Sequence, residues 1–464
     1  MRAFAICLSL ASATPTFAQS ATSTRVQIET GTLVGSSDAG VLSFKGIPFA
    51  APPVGPLRWR APQPAAAWTG ERNATHYGHD CMQLPFPSDA APLGTPPSED
   101  CLYANVWRPA RAVTALPVMV WIYGGGFVNG GSSPPTYSGA ALAAKDIIVV
   151  SFNYRLGRFG VFAHPSLTKA DADRGLFANY GYMDQLAALR WVQRNIARFG
   201  GDPTNVTIVG ESAGGMSVHA LLTSPQARGL FHKAVIQSGG PTSSSLPALA
   251  DAEAAGTAFA RSKGIAPNDP QAIDKLRALP ADQVVDGLNL ASRPSEPGAS
   301  KTYVGPLADG KVAVDPVAAY RADRFVNVPV MVGATSDDIG GADGYMISGA
   351  RSVAGRLTGK GVPVYYYRFS YVADSMRTPE SKGAKHATDI PFFFNTEAIK
   401  YGAQTSATDR AAGQTASGYL VNFVKKGDPN GGRLPKWPAF SPARPAMQNL
   451  DEKGSAEPEA DPAS

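Results

Sequence analysis

The clearest chemical signal in the sequence is a pentapeptide of the form G-x-S-x-G, which spans 210–214 and has Ser212 at its centre. A tight strand-to-helix turn exposes such a serine for nucleophilic attack and leaves no room for side chains at the flanking positions. The apolar run NVTIVG before it and the helix-compatible residues 216–222 after it supply that context. We therefore predict that Ser212 is a nucleophile at a helix N-terminus. The alternative is an ordinary glycine-rich turn with a serine N-cap.

A second glycine-rich segment, Tyr123-Gly124-Gly125-Gly126, follows another strand-like run. Acyl transfer creates an oxyanion that needs backbone N–H donors about 3 Å away, and glycines allow the backbone to approach that closely. The alternative is a dinucleotide-binding loop of the form G-x-G-x-x-G, but Asn129 occupies its third glycine position. The segment therefore predicts part of an oxyanion hole.

The general base must be chosen from six histidines: His76, His79, His164, His219, His232 and His386. A serine hydrolase built on this turn orders its triad as serine, acid, histidine. Three histidines precede Ser212, His219 shares its predicted helix, and His232 comes just before the next strand, so we predict His386. A metal site at His76, His79, Asp80 and Cys81 is an alternative. Loop histidines are commonly solvated, and we expect neither a metal ion nor an organic cofactor.

The acid is expected just beyond the strand-like run PVMVG at 329–333, where Asp337 and Asp338 are adjacent. One carboxylate would hold the imidazole through its Nδ1–H group and stabilise the imidazolium, and the other would be structural or solvated. Their spacing does not distinguish the two.

Strand-like and helix-like segments alternate from about residue 100, which predicts an α/β fold with a mostly parallel central sheet flanked by helices. Near-continuous apolar runs are typical of strands buried on both faces, and they span 117–123, 147–153, 205–210, 234–237 and 329–333. An amphipathic helix is predicted from apolar residues at spacings of three or four: Leu186, Leu189, Val192, Ile196 and Phe199.

The chain of 464 residues contains no clear linker, so we predict one elaborated domain over residues 19–464. Residues 241–300 are rich in alanine, serine and proline with weak helical periodicity, and are expected to form a helical cap insertion. The acidic, proline-containing residues 451–464 are expected to be a disordered tail.

Residues 1–18 have the features of a secretory signal peptide: Arg2, an apolar stretch at 3–13 and a small residue for cleavage. We therefore expect a secreted or periplasmic protein, with a frayed cytosolic N-terminus as the alternative. Removal of this segment leaves Cys81 and Cys101, and an even pair in an exported chain predicts a disulfide. Two buried free thiols are the alternative.

Composition excludes several classes of protein. Hydrophobic residues make up 44% of the chain and charged residues 17%, so a large core is expected and general disorder is not. The net charge is only +5 and no basic stripe is present, which excludes a nucleic-acid partner. No run of 18 apolar residues occurs, so no membrane-spanning helix is predicted.

The sequence resembles the type-B carboxylesterases, the group that includes cholinesterases and bacterial para-nitrobenzyl esterases, from about Val41 to Phe440. The shared motifs are FKGIPFAAPPVGPLRWRAP (44–62), SEDCLYANVW (98–107), NYRLGRFGVF (153–162), NYGYMDQLAALRWVQRNIARFGGDPTNVTIVGESAGG (179–215) and NFVKKGDPNG (422–431). The resemblance implies an α/β-hydrolase fold, Ser212 as nucleophile, and an oxyanion hole formed by Gly125, Gly126 and Ala213. The two remaining cysteines match the family's first disulfide.

The resemblance also chooses between the two aspartates. The family's acid is normally the glutamate of a D-E-G tripeptide, and Asp338 occupies that position, with Ile339 in place of the glycine. His386 matches the base of a segment resembling G-A-x-H-G-x-E-I-P, in which Ala387 replaces a glycine. Because aspartate is one methylene shorter than glutamate, a small backbone adjustment is expected at the contact between acid and base.

These features predict a serine carboxylesterase that hydrolyses small-molecule esters through an acyl-enzyme. Glu211 is a candidate for tuning the imidazolium or favouring cationic or polar leaving groups, and a buried structural carboxylate is the alternative. Ser238 is a candidate for supporting the triad, with a strand-end turn as the alternative. The rival functions are amide, carbamate or lactone hydrolysis on the same machinery, and a non-catalytic binding relative that keeps the fold.

Overall fold

The computed structural model describes residues 23–86, 89, 91–111, 114–240, 246–292 and 301–462. The segment predicted as a signal peptide, residues 1–18, lies outside these residues. Within the described ranges, no helix combines the length and the apolar character needed to cross a bilayer.

The strands of the described residues are β1 (Arg25–Ile28), β2 (Gly31–Val34), β3 (Ser36–Asp38), β4 (Val41–Pro48), β5 (Glu71–Asn73), β6 (Tyr103–Pro109), β7 (Leu116–Ile122), β8 (Ile148–Phe152), β9 (Gly201–Glu211), β10 (Lys233–Gln237), β11 (Val330–Thr335), β12 (Val364–Phe369), β13 (Ala446–Leu450) and β14 (Ala456–Ala460). The α-helices are α1 (Ala140–Ala143), α2 (Gly157–Gly160), α3 (Pro165–Ala170), α4 (Tyr180–Asn195), α5 (Ala213–Thr223), α6 (Leu249–Ser262), α7 (Ala272–Arg277), α8 (Ala281–Val285), α9 (Pro316–Arg321), α10 (Tyr345–Leu357), α11 (Ile390–Phe394), α12 (Glu397–Tyr401) and α13 (Ala407–Lys426).

The large sheet has the strand order β14-β13-β12-β11-β10-β9-β7-β8-β6-β4-β3, and a small sheet contains β1, β2 and β5. Strands β8, β7, β9, β10, β11, β12 and β13 pair in parallel, while the strands at both ends of the large sheet pair antiparallel. This mostly parallel sheet, flanked by helices, confirms the predicted fold class. Because parallel strands end at one edge, the loops that follow β7, β9, β11 and β12 gather there.

The five apolar runs predicted as strands all form central strands, β7 to β11, and side chains on both of their faces are buried. The predicted amphipathic helix is α4, continued by a 3-10 turn at Ile196–Phe199. The five residues of its predicted apolar stripe are all at most 1% exposed. The pattern of apolar residues in the sequence therefore matches the observed burial in both the central strands and helix α4.

The predicted cap insertion falls between β10 and β11. Its described part contains the helices α6, α7 and α8, and residues 241–245 and 293–300 lie outside the described residues. Arg158 contacts this insertion and donates hydrogen bonds to the carbonyl oxygens of Val284 and Val285 within it and of Thr302 just after it.

The expectation of a disordered tail at 451–464 is wrong for the described residues up to 462. Strand β14 pairs antiparallel with β13 and completes one edge of the large sheet. Glu457, Pro458 and Glu459 are exposed there, and charged side chains and proline are typical of an edge strand because they block further pairing. Beyond the strand, Asp461 is buried and accepts hydrogen bonds from Arg351 at 2.6 and 2.8 Å.

The two cysteines predicted to pair are joined. Cys81 and Cys101 form a disulfide with an S–S distance of 2.07 Å, and both residues are buried. By loop-closure entropy, a bridge of this span is expected to stabilise the fold by about 3 kcal/mol.

Candidate active site

Ser212 lies where β9 ends and α5 begins. Its backbone has φ 54° and ψ −122°, a strained conformation for a residue other than glycine. The Ser212 N–H donates to the carbonyl oxygen of Gln237 on β10 at 2.9 Å, and its own carbonyl accepts from Met216 at 2.8 Å. The turn is thus held from both sides, with the hydroxyl at the helix N-terminus.

The two glycines of the pentapeptide are required by the packing of this turn. A Cβ atom on Gly214 would collide with the carbonyl oxygen of Ile122 on β7, and one on Gly210 would collide with the carbonyl oxygen of Gly214. The steric demand inferred from the sequence is therefore present at both positions.

The structure brings Ser212, His386 and Asp338 together, although they are far apart in the sequence. The Oγ atom of Ser212 lies 2.9 Å from Nε2 of His386, and Nδ1 of His386 lies 2.7 Å from Oδ1 of Asp338. A hydroxyl, an imidazole and a carboxylate are thus connected by two hydrogen bonds. In this arrangement the imidazole can remove a proton from the hydroxyl, and the carboxylate can stabilise the resulting imidazolium.

The carboxylate of Asp338 is held from several directions. Its Oδ2 atom accepts from the Ser238 hydroxyl at 2.6 Å, the Thr335 hydroxyl at 2.8 Å and the Thr335 N–H at 3.1 Å. The Ile339 N–H donates to Oδ1 at 2.7 Å. Burial alone would raise the pKa of Asp338, but the interactions with His386, the Ser238 hydroxyl and the Ile339 N–H outweigh burial and lower it. Ser238 therefore binds the Asp338 carboxylate directly.

Asp337 has different surroundings from its neighbour. Its carboxylate lies 3.2 Å from Nζ of Lys385, whose side chain is 78% exposed. An exposed ion pair of this kind contributes about 0–1 kcal/mol to stability. The tertiary structure thus separates the adjacent aspartates, with Asp338 directed at the imidazole and Asp337 at solvent-exposed Lys385.

Two other histidines near the pentapeptide form hydrogen bonds with groups other than Ser212. His219 is buried on α5, where Nδ1 lies 2.7 Å from the Tyr320 hydroxyl and Nε2 lies 2.9 Å from the Gly240 carbonyl oxygen. Burial lowers the pKa of His219 to about 3. His232 accepts a hydrogen bond from the Val206 N–H. In the described residues, His76 and His79 belong to no cluster of three or more potential metal ligands.

Glu211 gives the imidazole a second acidic neighbour. Its Oε1 atom lies 3.3 Å from Nε2 of His386, and burial raises the pKa of Glu211 to about 8. Burial lowers the pKa of His386, but the carboxyl groups of Glu211 and Asp338 outweigh burial and raise it to about 9. These carboxyl groups therefore favour the imidazolium form of His386.

We expect the substitution Glu211→Gln to move the pH dependence of kcat/KM to lower pH. His386 accepts a proton only when neutral, so its raised pKa makes kcat/KM increase with pH toward about 9. Removing the nearby acidic group destabilises the imidazolium, and the midpoint should fall by about 1–3 pH units. The measurement is a pH–rate profile for a neutral ester. An unchanged midpoint would mean that Glu211 is only structural.

The glycine segment lies directly against Ser212. A Cβ atom on Gly124 would be 2.9 Å from Cβ of Ser212, and Gly125 and Gly126 have φ values of 101° and 63°. In the described residues, the N–H groups of Gly125 and Gly126 donate to no backbone carbonyl oxygen. The amide of Ala213, the first residue of α5, has no intrahelical acceptor. These amides are candidates for binding an oxyanion.

A cavity of about 280 Å³ opens onto Ser212 and His386. Its walls are mainly apolar and aromatic, from Phe86, Tyr137, Leu290, Ile390 and Tyr401, and they also carry two opposite charges, Asp89 and Lys400. A larger cavity of about 490 Å³ lies against α4, and its described lining contains neither serine nor histidine. The smaller cavity is therefore the candidate substrate pocket.

Two residues of this site were not predicted from the sequence. Thr335 holds Asp338 from the end of β11, and the available signal was a hydroxyl residue three positions before the acid. Asp389 is fully buried near Asp338 and His386, and burial and the negative charge of Asp338 raise its pKa to about 7. It lies three positions after His386, inside the segment that resembles the family.

Known carboxylesterases are similar to this chain in both sequence and fold. The carboxylesterase family pattern matches residues 22–342 and 341–461. The chain is 33% identical to the fumonisin B1 esterase of Sphingopyxis macrogoltabida, covering 90% of this chain and 85% of that protein. It is also 33% identical to the para-nitrobenzyl esterase of Bacillus subtilis (strain 168), covering 89% and 92%, and to human cocaine esterase, covering 90% and 86%.

A solved structure of para-nitrobenzyl esterase superposes on this protein with a TM-score of 0.81 and 31% sequence identity, and the alignment covers 94% of this chain and 97% of the other. Both sequence and fold therefore agree over nearly the whole length. The chain belongs to the type-B carboxylesterase family and is a carboxylic ester hydrolase.

Proposed function

We propose that this protein is a secreted serine carboxylesterase that acts through an acyl-enzyme, with Ser212 as nucleophile, His386 as base and Asp338 as acid. The observation that carries the proposal is the hydrogen-bond chain from Ser212 Oγ to His386, at 2.9 Å, and from His386 to Asp338, at 2.7 Å. The candidate pocket at Ser212 supports a small-molecule ester as substrate.

In the first half of the reaction, the ester carbonyl lies in the pocket beside Ser212. Nε2 of His386 accepts the hydroxyl proton while Oγ forms a bond to the carbonyl carbon. The negative charge that develops on the carbonyl oxygen is stabilised by the amides of Gly125, Gly126 and Ala213. His386 then gives its proton to the leaving alcohol as the C–O bond breaks, which leaves an acyl-serine.

In the second half, a water molecule replaces the alcohol. His386 takes a proton from the water, and the hydroxyl group attacks the acyl carbon to form a second tetrahedral intermediate. Collapse of this intermediate breaks the bond to Ser212 Oγ, which recovers its proton from His386 and releases the acid. Asp338 keeps the Nδ1–H tautomer of the imidazole throughout, so that Nε2 faces the serine.

Secretion rests on the N-terminal sequence pattern at residues 1–18 together with the Cys81–Cys101 disulfide. Disulfides persist mainly in oxidising compartments outside the cytosol. Both features favour the periplasm or the medium as the location of the mature protein.

The function is tested by assaying a panel of esters before and after treatment with a phosphorylating serine reagent. We expect ester hydrolysis to disappear in proportion to phosphorylation, and mass spectrometry of peptides to locate the added group on Ser212. Hydrolysis that persists when Ser212 is fully phosphorylated would contradict the proposal. Comparing each ester with its isosteric amide separates esterase from amidase activity, and faster amide cleavage would favour the rival reaction.

A further inference from the structure

The loops that carry the acid and the base run side by side beyond the ends of β11 and β12. Asp337 and Lys385 form an isolated parallel β-bridge, and the Asp337 N–H donates to the Ala384 carbonyl oxygen at 2.8 Å. The acid Asp338 follows this bridge by one residue, and the base His386 follows Ala384 by two. The bridge therefore lies within one or two residues of both the acid and the base, and it sets the distance between them.

Ser336 makes the second connection between these loops through its side chain. The Ala384 N–H donates to Ser336 Oγ at 3.0 Å, so both polar groups of the Ala384 backbone are bound by the acid loop. Ser336 is itself anchored, because its N–H donates to the Phe369 carbonyl oxygen at the end of β12 at 2.9 Å. The hydroxyl thus connects the base loop to the framework of the sheet.

The neighbouring glycine is fitted closely to this hydroxyl. A Cβ atom on Gly383 would collide with Ser336 Oγ, so only glycine lets the base loop approach the hydroxyl at the observed separation. The close approach matters here because the acid is an aspartate, whose carboxylate extends one methylene less than that of glutamate. The contact of 2.7 Å between Asp338 and His386 is nevertheless formed.

We propose that the hydroxyl of Ser336 is a positioning group for catalysis: by binding the Ala384 amide, it holds the base loop close enough for the short acid side chain to orient His386. The inference rests on the proposed triad. Displacements of about 1 Å at a catalytic group can cost 10²-fold in rate, so a single hydrogen bond at this position has a measurable effect.

The ion pair between Asp337 and Lys385 connects the same two loops, but it fixes their positions less strongly than the Ala384 hydrogen bonds do. Its Lys385 side chain is 78% exposed, and such pairs hold geometry weakly in water. The substitution Lys385→Ala is therefore a matched control, because it removes a side-chain link between the loops and leaves the Ala384 hydrogen bonds intact.

The test compares Ser336→Ala, Ser336→Thr and Lys385→Ala on one neutral ester. Ser336→Ala should lower kcat by about 10–100-fold with KM within about twofold, since orientation is lost and substrate contacts are not. Ser336→Thr keeps the hydroxyl and should recover most of kcat, while Lys385→Ala should change kcat less than about twofold. A Ser336→Ala enzyme with wild-type kcat, or equal losses in the alanine and threonine variants, would overturn the proposal.

A spectroscopic readout separates positioning from a general loss of stability. The proton between His386 Nδ1 and Asp338 gives a far-downfield NMR signal when the pair is well aligned, and it should weaken or shift in Ser336→Ala but not in Lys385→Ala. Gly383→Ala should lower kcat because of the collision with Ser336, and the double variant Ser336→Ala/Gly383→Ala should lose less than the product of the single losses. An unchanged signal together with multiplicative losses would contradict the proposal.

Failure of this inference is distinguishable from failure of the proposed function. If Ser212→Ala abolishes hydrolysis while Ser336→Ala leaves kcat and the NMR signal unchanged, the triad stands and the positioning role is wrong. If hydrolysis survives in Ser212→Ala, the proposed function itself is wrong.

Discussion

Replacing Ser212 with alanine is expected to lower kcat for ester hydrolysis by about 10⁴–10⁶-fold. Without Oγ no acyl-enzyme forms, and only the oxyanion donors and substrate binding remain to accelerate attack by water. His386→Ala should cause a loss of the same size, because the serine is not activated without the base 2.9 Å away. The measurement is kcat for a chromogenic ester, with folding checked by melting temperature.

The two substitutions should not be additive. Ser212 and His386 act on the same proton, so the double variant should be no more than about tenfold slower than either single variant. His76, an exposed loop histidine, provides the matched control, and His76→Ala should leave kcat within about twofold. Retention of more than about a hundredth of kcat in Ser212→Ala would refute its assignment as nucleophile.

Asp338→Asn is expected to lower kcat on the order of 10⁴-fold with little change in fold. Three donors from Ser238 and Thr335 converge on Oδ2, so the amide oxygen of the new asparagine should occupy that position. Its NH₂ group then faces Nδ1 of His386 and forces the proton onto Nε2. In that tautomer Nε2, the nitrogen that faces Ser212, has no lone pair to accept the serine proton.

Asp337→Asn is the matched control, since it makes the same chemical change one residue earlier. Its carboxylate pairs with exposed Lys385 and does not touch the imidazole, so kcat should fall less than about threefold. The comparison is made on kcat at a pH above the midpoint of each profile. Equal losses at 337 and 338 would overturn the assignment of the acid.

The wider consequence of these geometries is that the imidazole has acidic groups on both sides. Asp338 binds Nδ1 at 2.7 Å, while Glu211 lies 3.3 Å from Nε2. Both favour the imidazolium, which forms during each half of the proposed reaction. The same interaction raises the pH at which His386 becomes an available base. Glu211→Gln is therefore expected to lower that pH.

Much of the site was predictable from local sequence. Ser212 was predicted as the nucleophile because a buried strand, two glycines and a helix must follow one another closely, and each leaves its own pattern. The central strands and α4 were predicted for the same reason, since burial on both faces or on one stripe fixes residue type at a known period. The order of serine, acid and histidine along the chain predicted His386, and the resemblance to the family then selected Asp338.

The C-terminal segment shows where local pattern fails. Its acidic, proline-containing composition is typical of disorder, but the same composition suits an exposed edge strand. Whether it pairs depends on β13 and on Arg351, which is 110 residues away from Asp461. Composition alone carries no information about such partners.

The sequence by itself determined the fold class and predicted the nucleophile and the candidate acids and bases, because these depend on neighbours along the chain. Only the tertiary structure decided whether Ser212 and Asp338 reach the imidazole, which hydroxyls hold that aspartate and how close Glu211 comes to His386. The Ser212–His386 contact spans 174 residues and the Asp338–His386 contact spans 48. The physical reason is that a hydrogen bond depends on distances of a few tenths of an ångström, and those are set by the packing of loops distant in sequence.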